Sequence, residues 1–169
     1  MERYQLMSEI NYAISDSAEI PLVHGADLSI QPAATILIID DDPTARLALA
    51  AIIAQENYRL MFAASATEVC EHLDDIDPDV ILCDRVMEDM SGDEFLRWLK
   101  SHPRWDLIPS IGVTGLDSPS ARTELLHAGA DSVLAKPCNG QELRAHIRAA
   151  LRTRRKYEQL AMKQCLRFC

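Results

Sequence analysis

The chain has 169 residues, with 26 Asp and Glu against 17 Lys and Arg, a formal net charge of −9. Hydrophobic residues make up 48% and charged residues 25%, so the chain is neither a disordered acidic polymer nor a fibrous repeat, and its length suits one domain with extensions. The negative balance argues against broad nucleic-acid binding, which needs a basic face, and no apolar run approaches the roughly 18 residues of a membrane span.

Charge divides the chain into three segments. Residues 1–34 carry −4, residues 35–151 carry −10, and residues 152–169 carry +5. The first segment lacks a basic start followed by an apolar core, so it does not read as a secretory signal. Its hydrophobics (Tyr4, Leu6, Met7, Ile10, Tyr12, Ile14) suit one amphipathic helix that caps or dimerises the domain. Five cysteines, at 70, 83, 138, 165 and 169, form no CxxC pair. That usage fits a reducing compartment, and the expected location is the cytoplasm.

The middle segment alternates two textures. Thr35–Asp40 reads as a strand, followed by a helix over Thr44–Gln55 with Pro43 at its start. Tyr58–Ala63 is the second strand and Ala66–Leu73 the second helix. Asp79–Asp84, led by Pro78, is the third strand, and Asp93–Lys100 the helix after it. Ser110–Thr114, led by Pro109, precedes a helix over Ser118–His127 that ends near Gly129. Ser132–Ala135 is the fifth strand, and Gly140–Leu151 opens the last helix. Runs this apolar suit strands covered on both faces. Strands alternating with helices imply an α/β, doubly wound parallel sheet of five strands with right-handed crossovers.

In such sheets ligands bind beyond the carboxyl ends of the strands. The first run ends in Asp40, Asp41 and Asp42, the third in Asp84, the fourth in Thr114 and the fifth in Lys136. The second ends in Ala63-Ala64-Ser65 and promises little. Carboxylates a few ångströms apart repel and raise one another's pKa, a penalty that a hard cation such as Mg²⁺ removes. A carboxylate beside that cation can accept a phosphoryl group as an acyl phosphate. A lysine and a threonine hydroxyl would then contact the phosphoryl oxygens.

Five pieces in order, ILIIDDDP (36–43), PDVILCDRVMEDMSG (78–92), IGVTG (111–115), HAGADSVLAKP (127–137) and the amphipathic helix after them, resemble the receiver domain of bacterial two-component response regulators. The resemblance spans residues 35–151. It implies the flavodoxin-like (βα)5 fold with strand order 2-1-3-4-5. It implies Asp84 as the phosphoacceptor and sole phosphorylation site, Asp41 and Asp84 as direct Mg²⁺ ligands, Asp40 as a supporting one and the carbonyl of Val86 as another. It makes Thr114 the switch hydroxyl and Lys136, before a cis Pro137, the ion-pairing partner. It also implies that a sensor histidine kinase or phosphotransfer protein supplies the phosphoryl group and that output passes through protein contact or self-association. The chain is then a signalling domain, not a metabolic enzyme.

Two positions depart from the family pattern. Glu88 stands where the family usually has proline after Met87, and Val133 occupies a switch position that is often aromatic. Two other readings were weighed. Asp40-Asp41-Asp42-Pro43-Thr44 also fits the nucleophile loop of haloacid-dehalogenase-type phosphatases, with Asp40 as nucleophile and Asp42 as acid/base. That scheme leaves Asp84 unexplained and lacks a late acidic pair. The other is a structural dimerisation module whose acidic pocket only binds Mg²⁺.

The remaining marked residues read as structural. His24, His72, His102, His127 and His146 lack ligand spacing. Cys83 belongs to the core, Met87 and Met90 anchor the loop after Asp84, and Trp98 and Trp105 bury the third helix and its exit. Past Leu151 the sequence holds no Pro or Gly, so the last helix should continue beyond 160 with a broken apolar stripe at 147, 151, 157, 160/161, 165 and 168. That stretch resembles the signalling helix between receivers and output domains, and it permits a homodimer.

Overall fold

The computed structural model of the chain describes residues 33–115 and 119–165. The N-terminal extension with its expected helix and His24, residues 116–118, and residues 166–169 lie outside the described residues. Five strands, β1 (Thr35–Ile39), β2 (Arg59–Ala63), β3 (Val80–Asp84), β4 (Ser110–Thr114) and β5 (Ser132–Ala135), alternate with five helices. The helices are α1 (Pro43–Ile53), α2 (Ala66–Ile76), α3 (Gly92–Ser101), α4 (Pro119–Ala128) and α5 (Gly140–Cys165).

The strands form one parallel sheet in the order β2-β1-β3-β4-β5. Every residue of β1, β3 and β4 is buried, as expected of strands covered on both faces. The alternation of side chains sends Leu37, Ile39, Ile81 and Cys83 toward α2, α3 and α4, and Ile36, Ile38, Val80 and Leu82 toward α1 and α5. Each large aliphatic side chain buried this way contributes about 1.5–3 kcal/mol. Register places Ile39 beside Cys83, Asp84 beside Val113 and Thr114 beside Ala135, so the residues that end the central strands stand side by side.

Local chemistry sets the helix ends. Asp42 caps α1 by accepting the Thr44 N–H at 2.8 Å, with Pro43 in the first turn. Ser65 caps α2, which runs to Ile76 and not only to Leu73, because the break comes at the left-handed Asp77 ahead of Pro78. Ser91 and Glu94 form a reciprocal capping box on α3. The side chain of Asn139 accepts the N–H groups of Gln141 and Glu142 at the start of α5. The continuation of α5 past 160 is as expected. Leu143, Ile147 and Leu151 root it in the core, whereas Tyr157, Leu160 and Met162 are exposed.

The structural readings hold for the described residues. Cys83 is fully buried, and Met87 and Met90 pack on the core under the loop after β3. Trp98, His102 and Trp105 pack as tilted rings at the exit of α3, with centroids 4.6–5.1 Å apart. Among the described residues, no helix is long and apolar enough to cross a membrane.

Candidate functional site

Asp84 closes β3 and is 6% exposed, while Asp40 follows β1 directly and is 1% exposed. The ammonium of Lys136, one residue past β5, lies 2.6 Å from Asp40 Oδ2 and 2.6 Å from Asp84 Oδ1. The remaining oxygens are held by backbone. Asp84 Oδ2 accepts the Val86 N–H at 2.8 Å, and Asp40 Oδ1 accepts the Asp42 N–H at 3.0 Å. Lys136 is placed by its own N–H, which donates to the Thr114 carbonyl at 2.8 Å, and the bond to Pro137 is cis. Thr114 is 1% exposed at the end of β4.

Two carboxylates share one ammonium. Burial pushes the Asp84 carboxyl above its ordinary value of 3.8, against the pull of Lys136 and with a smaller push from Asp40. Loss of water is the larger cause of the rise, and repulsion by Asp40 adds to it as expected. On Lys136 burial acts downward, but the bonds and charges of Asp40 and Asp84 outweigh it and raise the ammonium above 10.5.

Asp41 stands apart from that trio. Its Oδ2 accepts the Glu88 N–H at 3.1 Å, which ties the loop after β1 to the loop after β3. Among the described residues, no three Asp, Glu, His or Cys side chains are gathered into a closed cage for a metal ion. The acids do collect at one sheet edge, but Lys136 draws two of them to itself. Val86 is exposed beside Asp84. Val133 packs against the core on the α3 and α4 side. Asp42 is exposed, and its carboxylate holds the start of α1, so it is a cap and not an acid/base aimed at Asp40.

Four residues of this region, Ser65, Thr67, Asp89 and Gly92, have contacts that the sequence reading did not assign. Ser65 Oγ donates to Asp89 Oδ2 at 2.6 Å, and the Thr67 N–H donates to the same oxygen at 2.9 Å. The end of β2 thus contributes more than its Ala-Ala-Ser sequence promised. The Ser-x-x-Glu spacing of residues 65–68 is a helix-cap signature that could have marked Ser65, but nothing local points to Asp89 as its partner. Gly92 sits so close to the end of β3 that an added Cβ would meet the Asp84 carbonyl at 2.2 Å and Arg85 Cα at 2.9 Å. Its N–H donates to the Arg85 carbonyl at 2.8 Å.

With this geometry in place, the comparisons with known proteins agree. The sequence model of the response regulator receiver domain matches residues 36–148. The response regulator MprA of Mycobacterium bovis is 35% identical over 133 residues, covering 79% of this chain and 56% of that protein. The chain thus spans only about half of that longer relative. Among solved structures, a signal receiver domain of a signal transduction histidine kinase from Syntrophus aciditrophicus is 34% identical with a TM-score of 0.66. It covers 70% of this chain and 90% of its own. A CheY-like response regulator receiver domain protein from Methanospirillum hungatei is 31% identical with a TM-score of 0.66, over 75% of this chain and 99% of its own.

Proposed function

Because this chain belongs to the response regulator receiver family, we propose that Asp84 accepts a phosphoryl group from the phosphohistidine of a sensor kinase or phosphotransfer protein. The observation that carries this reading is Lys136, poised between Asp40 and Asp84 at 2.6 Å from each. An ionised Asp84 oxygen attacks phosphorus. The O–P bond forms as the P–N bond breaks, and the imidazole nitrogen leaves with the bonding pair. Lys136 follows the charge from the carboxylate to the phosphoryl oxygens, and the Thr114 hydroxyl donates to one of them.

Asp40, Asp41 and Asp84, with the Val86 carbonyl, would hold Mg²⁺. Asp40 and Asp84 alone exceed in charge the single ammonium between them, and Asp41 follows in the loop after β1, a set of hard oxygens that suits a cation keeping several of its waters. When bound, Mg²⁺ would offset the charge that builds on the transferring oxygens. The domain then signals by contact with an output partner or a second copy, and works in the cytoplasm.

The test is incubation with acetyl phosphate and MgCl2, followed by intact-mass measurement. One hydroxylamine-labile phosphoryl group on the wild type, and none on Asp84→Asn, is the expected result. Labelling of the variant to the same extent defeats the assignment. Binding of beryllofluoride with Mg²⁺ separates this reading from that of a dimerisation module which only binds the metal.

A further inference from the structure

The loop between β3 and α3 carries the groups nearest Asp84, and it is held at three places. At its root the Gly92 N–H closes back on the Arg85 carbonyl at 2.8 Å. In the middle the Glu88 N–H donates to Asp41 Oδ2 at 3.1 Å. At the outer end Asp89 Oδ2 accepts both the Ser65 hydroxyl at 2.6 Å and the Thr67 N–H at 2.9 Å. The middle tie reaches the loop after β1, and the last reaches the turn between β2 and α2.

Each part of that tie has a physical cause. A carboxylate placed over the first turn of a helix meets N–H groups that have no partner within the helix, and the helix dipole favours its charge. Ser65 is itself the cap of α2 and accepts the Glu68 N–H at 3.1 Å while its own proton goes to Asp89. One serine therefore serves both the helix and the loop. Burial acts upward on the Asp89 carboxyl, but the bonds from Ser65 and Thr67 prevail and hold it well below the usual carboxylate range. The tie is therefore charged at any pH near neutral, and its two bonds are short although Asp89 is exposed.

The consequence reaches Asp41. Its side chain is half-buried, and its position depends on the Glu88 N–H, the backbone neighbour of Asp89. Asp40 and Asp84 are locked by Lys136 and do not need that help. We propose that Asp89 is a positioning residue for the phosphorylation site: by pinning the loop to Ser65 and Thr67, it sets where Glu88 holds Asp41 and where Val86 sits beside Asp84. Asp89 touches neither metal nor phosphoryl group. It acts through the loop, as outer supports of metal ligands do. This inference rests on the proposed Mg²⁺ and phosphoryl chemistry of the site.

The experiment uses the full chain and three proteins: wild type, Asp89→Ala and Asp89→Asn. Melting is followed against MgCl2 concentration to give the half-saturating concentration of each, and Mn²⁺ binding is followed separately by electron paramagnetic resonance. Asparagine retains an oxygen that can accept from Ser65 and Thr67, whereas alanine retains none. The expected result is a roughly tenfold rise in half-saturating Mg²⁺ for Asp89→Ala, the lower end for outer supports of metal ligands, with a much smaller rise for Asp89→Asn. A merely structural role would lower the metal-free melting temperature of both variants and leave the half-saturating concentration where it was. Equal metal affinity of wild type and Asp89→Ala overturns the inference while leaving the phosphoacceptor reading intact. A wild type that shows no metal-dependent shift overturns both.

Discussion

Lys136 and Asp84 meet on one side of the carboxylate only. The ammonium lies 2.6 Å from Oδ1, while Oδ2 is turned to the backbone N–H of Val86 at 2.8 Å. The phosphoacceptor is thus held in a fixed plane by one charge and one amide. Because Lys136 also reaches Asp40 at 2.6 Å, removing it strands two buried anions together.

Lys136→Met should therefore destabilise the domain by up to about 3–5 kcal/mol, the scale for breaking a buried pair from one side. Urea denaturation with and without MgCl2 checks this. The metal should recover part of the loss in the variant, since a cation then supplies the missing positive charge.

Asp84→Asn should raise stability near neutral pH. The folded-state pKa of Asp84 lies above 3.8 because of burial, so the folded chain holds this proton more tightly than the unfolded one. Ionisation of Asp84 consequently costs stability as pH rises through the window above 3.8. The advantage of the asparagine should shrink as pH falls through that window and vanish below it. Melting curves of the two proteins over acidic buffers read the difference directly.

Lys136 predicts an alkaline limb of opposite origin. Its ammonium is raised above 10.5 by Asp40 and Asp84, although burial alone would lower it. The stabilisation is complete below 10.5 and is lost as pH rises through the higher folded value. Wild type and Lys136→Met should converge in stability at strongly alkaline pH, as followed by circular dichroism.

Gly92→Ala should cost about 1–3 kcal/mol, the scale for forcing extra volume into a packed site. The added carbon meets backbone of Asp84 and Arg85, not the tip of a flexible side chain, so α3 must shift from the strand end. Labelling by acetyl phosphate should slow along with the loss of stability.

A chain ending at Thr153 should melt within a few degrees of the full chain. Residues 155–163 are all exposed, and among the described side chains of α5 the last buried one is Leu151. A large loss would mean that the outer helix packs on the domain.

Much of the architecture could be read from residues 35–151 because apolar runs and turn residues carry local information. Val80 to Asp84 follows Pro78 and is apolar until its last residue, which is enough to place a buried strand with an acid at its end. The edge position was legible for Asp40, Asp84 and Lys136 for the same reason. What escaped is the partnering of side chains from different units. Asp89 and Ser65 are 24 positions apart, and only the packing of α2 beside α3 brings them together. Likewise, acids ending neighbouring strands announce repulsion at Asp84, whereas its burial, a property of the whole sheet and not of any motif, weighs more.

Mechanically, α5 is a cantilever. Its 26 residues make a rod about 39 Å long, clamped at one end by Leu143, Ile147 and Leu151, with residues 155–163 exposed. The turns from Leu151 to Cys165 reach about 21 Å past the clamp, so a tilt of about 10° there would carry Cys165 through about 4 Å. A corner adjustment beside Lys136 too small to disturb the core would thus be magnified with distance, and whatever grips the outer turns would feel a displacement far larger than the one that caused it.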